Sequence, residues 1–453
     1  MTQGGKRPPD TLLPELLAPL EALAVSGPVR VALSGGLDSI VLLHLAHHVF
    51  GHRPGTLSAL HVNHQLQPDA AGFESLCRES CDQLGVPLEV VHVQVDTGPG
   101  SIETRARDAR YQVFSARLAP GEVLLMAHHR DDQAETLLFR FLRGSGVRGL
   151  AGIPDERPLG RGRLIRPWLD VPREHLRQQA RAAGWEWAED PTNADDRFDR
   201  NFLRHRILPA LQERWPQLDR RLLASARACA ESAELADLLA QTQFDQLQEG
   251  PHRIRLSGLR ALPMSACRNL LQWWLEGSLG RSLGDDEIHD LLEAPEDASP
   301  EILTGEFALR RFQGHIYRIP RRRPPLAEDQ PLVPDRVIQD GDFRLCLRGR
   351  CGDNGIPHLR LAHRQGGERF RPAAGGQSRP LKKWLQEQQI PPWERDRLPL
   401  VFRDNEELVA VADLWCKPEL AGGQAAKHWW LEIRREPGVP ERVSEMTFAS
   451  GPD

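Results

Sequence analysis

Cysteine is scarce and unpatterned in this chain: seven in 453 residues, an odd number, with no Cys-x-x-Cys pair. A disulfide framework is excluded. Neither Cys77 with Cys81 nor Cys346 with Cys351 reaches the four ligands of a structural zinc, so reduced core thiols are expected. Long apolar runs are missing too, since charges interrupt every hydrophobic stretch short of the ~20 residues a bilayer crossing needs. Pro8, Pro9, Pro14 and Glu15 break the apolar core that a secretory signal would require near the start. The expectation is a cytoplasmic protein with no membrane association. Positive charge does not dominate either: the net charge is −5, so any nucleic-acid binding must come from local patches. Lysine is nearly absent, with five among 58 cationic residues, and arginine supplies the other 53. Codon usage explains such a bias more simply than selection for phosphate forks. In a chain that avoids lysine, the adjacent pair Lys382-Lys383 still stands out.

The length implies two or three domains. From Val29 to about His129 one unit recurs: a β-branched run, a polar or glycine break, then a helical stretch. The runs Val29–Leu33, Leu57–Val62, Leu88–Val95 and Val123–Ala127 predict parallel strands joined by helices, hence an α/β fold with a doubly wound parallel sheet. Ligands of such sheets bind beyond the carboxyl ends of the strands. The expected organisation is a catalytic α/β domain over 1–212, a mostly helical middle domain over 213–325, a Pro-rich linker over 326–335, a small α+β domain over 336–440 and a tail over 441–453. Within the α+β domain, Phe343–Arg348, His358–Ala362, Leu398–Phe402 and Leu408–Ala412 are predicted strands around a helix at Leu381–Gln388.

The strongest chemical signal is Ser34-Gly35-Gly36-Leu37-Asp38-Ser39, lying between the strand Val29–Leu33 and the apolar helix Ile40–Phe50. Glycines after a strand let backbone N–H groups turn toward an anion, and the helix start adds partial positive charge. The GK[ST] ending of a Walker loop is absent, which favours attack at the α-phosphorus over γ-phosphoryl transfer. Asp38 is the candidate Mg2+ ligand and Ser34 and Ser39 the candidate phosphate contacts. An ordinary glycine turn with Asp38 or Ser39 as helix cap is the competing explanation.

SGGLDS is the loop of the N-type ATP pyrophosphatases, the PP-loop superfamily. Further segments resemble one family within it, the bacterial tRNA(Ile)-lysidine synthetases. They are His61-Val-Asn-His64, Ala106-Arg-Asp-Ala-Arg-Tyr111, Ala127-His-His-Arg-Asp-Asp-Gln-Ala-Glu-Thr136, Arg143-Gly-Ser-Gly146, Arg166-Pro167, Glu189-Asp-Pro-Thr-Asn193 and Arg200-Asn-Phe-Leu-Arg204. Near the C-terminus come Gly366-Gly-Glu-Arg-Phe-Arg371, Leu381-Lys-Lys-Trp384 and Ile390-Pro-Pro-Trp-Glu-Arg-Asp-Arg-Leu-Pro399. Gln65, Gln67 and Thr192 depart from the family's usual residues. The resemblance implies a ligase that adenylates C2 of the wobble cytidine of tRNA(Ile) with ATP and Mg2+, releases pyrophosphate, and lets the amine of L-lysine displace AMP. It leaves a homodimer open. A PP-loop tRNA thiolase and an inactive tRNA-binding scaffold are the alternatives.

On a helical wheel Ala134, Leu137, Leu138, Phe141 and Leu142 form one apolar stripe, so Asp132 and Glu135 share a neighbouring face. They are the expected grip on the lysine ammonium, with an acidic first turn answering the helix dipole as the bland alternative. Arg107 and Arg110, three apart and near Arg105, could clamp the α-phosphate or the target base, or form a solvated face. Asn63 and His64, ending a strand at the cleft, are expected to contact adenosine, with His64 as a satisfied edge residue the alternative. Arg143-Gly-Ser-Gly146 offers a further backbone nest. Asp190, Asn193, Arg200 and Arg204 should close the pocket around lysine and nucleotide. A neutral amine at pH 7 lies ~3.4 pH units below its ordinary pKa, about 4.6 kcal/mol, so a proton acceptor is needed: Glu135, Asp132, His129 or the leaving nucleotide. In the C-terminal domain Arg369, Arg371, Arg379, Lys382, Lys383, Arg395 and Arg397, interleaved with Trp384 and Trp393, suit tRNA phosphates and bases. Both tryptophans could instead be core.

Overall fold

The computed structural model describes residues 12–435 apart from 26, 53–54, 65–69, 96–101, 191–194, 251, 276–282, 296–297, 299, 350–354, 373–375, 405 and 422–428. Asn193, Gln65, Gln67, Thr192 and Cys351 lie outside the described residues. The chain divides into two compact units, Met1–Leu235 and Ala236–Asp453. The division between these units falls inside one long helix, Leu218–Leu247. Among the described residues no helix is long and apolar enough to cross a membrane.

In the first unit α1 (Pro14–Glu21) precedes β1 (Val29–Ala32), α2 (Leu37–Phe50), β2 (Leu57–Asn63), α3 (Ala70–Leu84), β3 (Leu88–His92), α4 (Ile102–Arg117), β4 (Val123–Leu125) and α5 (Arg130–Leu142). A short α6 (Val147–Leu150) leads to the antiparallel hairpin β5 (Glu156–Leu159) and β6 (Gly162–Ile165), and then to α7 (Arg173–Ala183). The sheet order is β3-β2-β1-β4-β6-β5, parallel throughout except for β5. Each strand alternates between two cores, as a period of two demands. Val123 and Leu125 join the core built with α1, α2 and α7, while Leu124 and Met126 join the one that holds Phe114 and Leu118 of α4. Helix α2 is apolar nearly all round, and its Leu37, Ser39, Ile40, Val41, Leu42, Leu43, Leu45 and Ala46 are buried. The chain leaves β1 toward β2 on one side and returns to β4 on the other. Between β1 and β4 the strand order therefore reverses, and a crevice opens at their carboxyl ends.

The second unit corrects two expectations. Its middle region has the expected helices, Leu256–Arg260, Met264–Trp274 and Asp285–Glu293, but also an antiparallel sheet that composition did not reveal: β7 (Arg253–Arg255), β8 (Glu301–Leu303), β9 (Phe307–Phe312) and β10 (His315–Pro320), in the order β7-β10-β9-β8. The proposed linker over 326–335 is folded structure. Gln330 and Pro331 pair with Leu361 and Arg360, Leu332 is buried, and Ala327 N donates to Asp340 at 2.8 Å. Proline there marks a sheet edge, where its missing N–H costs nothing. The C-terminal strands Phe343–Gly349, Leu359–Ala362, Leu400–Arg403 and Leu408–Val411 and the helix Leu381–Glu387 form within a residue or two of their predicted positions.

Candidate active site

Two helices start at the crevice, α2 after the glycine turn and α5 after β4. Gly35 has φ +85°, and a Cβ there would sit 3.2 Å from Phe73 O and 3.3 Å from Cys77 Sγ, so both conformation and space demand glycine. Gly36 caps α2 without any side-chain hydrogen bond, which leaves the first-turn N–H groups to an anion. The serines hold the turn together. Ser39 Oγ donates to Gly36 O at 3.0 Å and accepts from Ser34 N at 3.1 Å, and the two hydroxyls lie 3.0 Å apart. Ser39 is thus spent inside the loop, a correction to its expected role on phosphate: its hydroxyl shapes the cradle.

A cleft of about 960 Å3 opens above this turn. It is lined by Ser34, Gly36, Leu37, Asp38 and Ser39, by Asn63 and His64, by Arg110, and by His128 and Asp132. Arg173, Arg177, Trp187, Glu189, Asp190 and His205 complete it. Among these, Arg173, Arg177, Trp187, Glu189 and His205 were missed as site residues by sequence reasoning. Arg173 N donates to Asp131 at 2.8 Å and its Nε to Asp38 Oδ1 at 3.2 Å, tying α7 to both helix starts. Ala188 N donates to Gly35 O at 3.0 Å, which brings the Glu189-Asp190 segment against the turn. Asn63 donates to Glu74 at 3.0 Å, so its amide is already oriented.

His129 caps α5 at 2% exposure and faces three carboxylates: Asp132 at 3.4 Å, Asp131 at 3.5 Å and Asp38 at 3.7 Å. Burial opposes its charging, yet Asp132, Asp131 and Asp38 outweigh that and push its pKa up to about 10. The Asp132 N–H lies 3.4 Å from Nδ1, a weak contact beside the carboxylate on the same nitrogen, so an imidazolium is the better assignment. Its charge helps hold the Asp38 and Asp132 carboxyls below the ordinary range, against burial. His128 is its opposite. Burial drives its pKa down to about 3, and Arg166 Nε donates to its Nδ1 at 3.0 Å, so the hydrogen sits on Nε2.

The pairing of Asp132 with Glu135 is only half as expected. Asp132 lines the cleft. Glu135 lies behind it at 1% exposure, with Oε1 accepting from Arg204 Nε at 2.6 Å and Oε2 accepting from Arg204 at 2.8 Å and from Arg200 Nε at 3.2 Å. Arg200 and Arg204 therefore reach a buried carboxylate and do not line the cleft, and none of the three is disposed to hold lysine directly. Arg107 is a further correction. It stacks on the Tyr111 ring, 5.5 Å from its centroid, outside the cleft lining, while Arg110 on the same helix lines it.

In the second unit Trp384 is 7% exposed and packs edge-to-face on Phe370, so it is core and unavailable to an RNA base. Trp393 packs against Phe312 and Tyr317. Arg395 donates to Ile390 O, Arg397 to Pro324 O, and Arg379 pairs with Glu387, which removes these three from the simple picture of a cationic face. Arg369, Arg371, Lys382 and Lys383 remain exposed. Lys382 and Lys383 occupy the first turn of their helix, where the dipole disfavours cations.

Three family comparisons cover the chain: a PP-loop domain over residues 13–211, a TilS substrate binding domain over 255–317 and a TilS substrate C-terminal domain over 359–433. The sequence is 42% identical to the tRNA(Ile)-lysidine synthase of Pseudomonas putida, over 88% of this chain and 95% of that protein. It is 44% identical to that of Pseudomonas aeruginosa over 87% and 92%, and 35% identical to that of Coxiella burnetii over 93% and 96%.

Proposed function

This chain belongs to the tRNA(Ile)-lysidine synthase family, and from that premise we propose how its cleft carries out the reaction. The enzyme is a ligase that uses ATP to form lysidine on tRNA(Ile). The observation that carries the reading is the join of a glycine turn without a Walker lysine to two helix starts and a buried imidazolium. Backbone N–H groups at residues 36–39 receive the pyrophosphate, and the α-phosphorus is left toward the cytidine O2. The cationic His129 and Arg173 supply fixed positive charge near the developing negative charge, where little reorganisation is needed.

Asp38 is a hard oxygen donor at the start of α2 and suits Mg2+, which needs only one or two carboxylates beside phosphates and water. When bound, the ion would neutralise phosphate charge. L-Lysine is the second substrate of this reading, with Asp132, Glu189 and Asp190 as the cleft carboxylates for its ammonium groups. Glu135, Arg200 and Arg204 position the α5 face that carries Asp132, and Asn63 and His64 meet the nucleoside. The proton acceptor is narrowed by elimination. His129 is already charged, and His128 presents an N–H. Burial and then Arg110 press His64 down to about 4, a poor base. His205 lines the cleft with Nδ1 bonded to Asp196 at 2.9 Å, which leaves Nε2 as its nitrogen for the proton of the attacking amine, beside Asp132 and the leaving nucleotide as the other acceptors.

Among the described residues a thiolase reading lacks a nucleophile at the cleft: Cys77 and Cys81 are fully buried, and burial pushes both thiols up to about 12. The direct test incubates the protein with labelled ATP, tRNA(Ile) and lysine. AMP release that needs both tRNA and lysine, with a matching mass gain on the tRNA, is expected. ADP with orthophosphate, or no turnover, would overturn the reading.

A further inference from the structure

Tyr111 on α4 carries two guanidinium groups against its ring, Arg107 at 5.5 Å and Arg157 of β5 at 4.9 Å from the centroid. A third, Arg166, donates to its hydroxyl at 3.3 Å and is itself fixed by bonds to Pro154 O and His128 Nδ1. Neither Arg107 nor Arg157 enters an ion pair among the described residues. Glu156, the neighbour of Arg157, is engaged by Arg163 at 2.9 Å. Among the described residues, positive charge is thus concentrated here without a carboxylate paired to either guanidinium. Burial alone would raise the Tyr111 hydroxyl, yet Arg166, Arg107 and Arg157 hold it below the ordinary tyrosine value. After burial, the same crowding by Arg107 and Arg200 holds the Arg140 guanidinium below its own.

The cluster borders the cleft. Ala106 and Arg110 of the same helix line it, as does His128, the partner of Arg166. A cytidine entering that cleft brings a phosphate on either side of it, and ATP already has the glycine turn. Guanidinium forks held on a ring face lose little rotamer freedom when they meet a phosphate. We propose that Arg107 and Arg157, held in place by Tyr111, form a rim that binds the ribose–phosphate backbone flanking the target cytidine. The inference rests on the tRNA(Ile) reading above. In it Tyr111 is a positioning residue and Arg157, which no sequence motif singled out, is a direct RNA contact.

The test measures binding of a tRNA(Ile) transcript to the full chain across a salt series, with ATP binding in the absence of tRNA as the control. Arg107→Ala with Arg157→Ala should weaken tRNA binding roughly tenfold and flatten the log–log salt slope by about 1.4, at ~0.7 per phosphate contact on single strands. ATP affinity should hold. Tyr111→Leu should give part of the same loss, and Tyr111→Phe, which keeps the ring, much less. Unchanged tRNA affinity and slope in the double variant, with ATP binding intact, overturns the rim. Should the double variant lose ATP binding as well, the single Arg157→Gln decides: a loss of about threefold and ~0.7 in slope supports the rim, and no change refutes it. A wild-type protein that makes no lysidine overturns the functional reading instead, and this inference with it.

Discussion

The Glu135–Arg204 pair offers the most direct measurement, because two accounts of Glu135 diverge on it. Its carboxylate is 1% exposed and both oxygens accept from arginine, Arg204 at 2.6 and 2.8 Å and Arg200 at 3.2 Å. Arg204→Met would leave a buried charge with a single partner. Breaking one side of a buried ion pair costs about 3–5 kcal/mol, and the surviving Arg200 bond argues for about 3. In a unit that runs from Met1 to Leu235, 1 kcal/mol moves Tm by about 2–4 °C, so a loss of about 6–12 °C is expected. Glu135→Leu should cost less, since Arg200 and Arg204 keep 32% and 27% side-chain exposure and can turn to water. The double variant should recover much of the loss, giving a clear coupling energy in the cycle. Thermal unfolding of the four proteins, followed without ligand, reads all of this. Were Arg204→Met to melt within 2 °C of wild type, with Glu135→Gln raising the KM for lysine, Glu135 would be a substrate contact after all and the buried-pair argument would fail.

Three further outcomes follow from the same geometry. His205→Gln should lower kcat strongly while leaving the KM for ATP within about twofold, and an unchanged kcat would dismiss His205 as the base. Lys382→Glu with Lys383→Glu should weaken tRNA binding and its salt dependence with ATP affinity untouched, and equal tRNA affinity would discard that patch. His363 is bonded to Asp340, a side chain with no exposure, at 3.0 Å, and this bond raises its pKa above the ordinary value despite burial. A raised folded pKa means the stabilisation is complete below about 6.5 and is lost as pH climbs through the folded value. The denaturation midpoint of the second unit should therefore fall as pH rises above about 6.5, and His363→Gln should flatten that trend.

Much of the first unit was legible because its signals are local. The β-branched runs became β1 to β4, and the glycine turn, with φ +85° at Gly35, sits where strand meets helix. The Asp132 and Glu135 spacing did place both on one face of α5, yet exposure separated them, and no helical wheel reports what packs from the other side. The sheet of the middle region escaped because its two outer strands, β7 and β8, are three residues long and β9 carries Arg310 and Arg311, so period-two alternation had little to act on.

Residue types and spacing alone determined the phosphate cradle, the parallel order that leads to a crevice, and the acidic and cationic residues from which the site is drawn. Which cation meets which carboxylate was decided only by tertiary structure. Arg204 reaches Glu135 across 69 residues and Arg173 reaches Asp38 across 135, and a guanidinium can select its partner only once the helices carrying both have docked. The same holds for charge state: His128 and His129 are adjacent in sequence, and neighbours brought by folding make one a neutral donor and the other a cation.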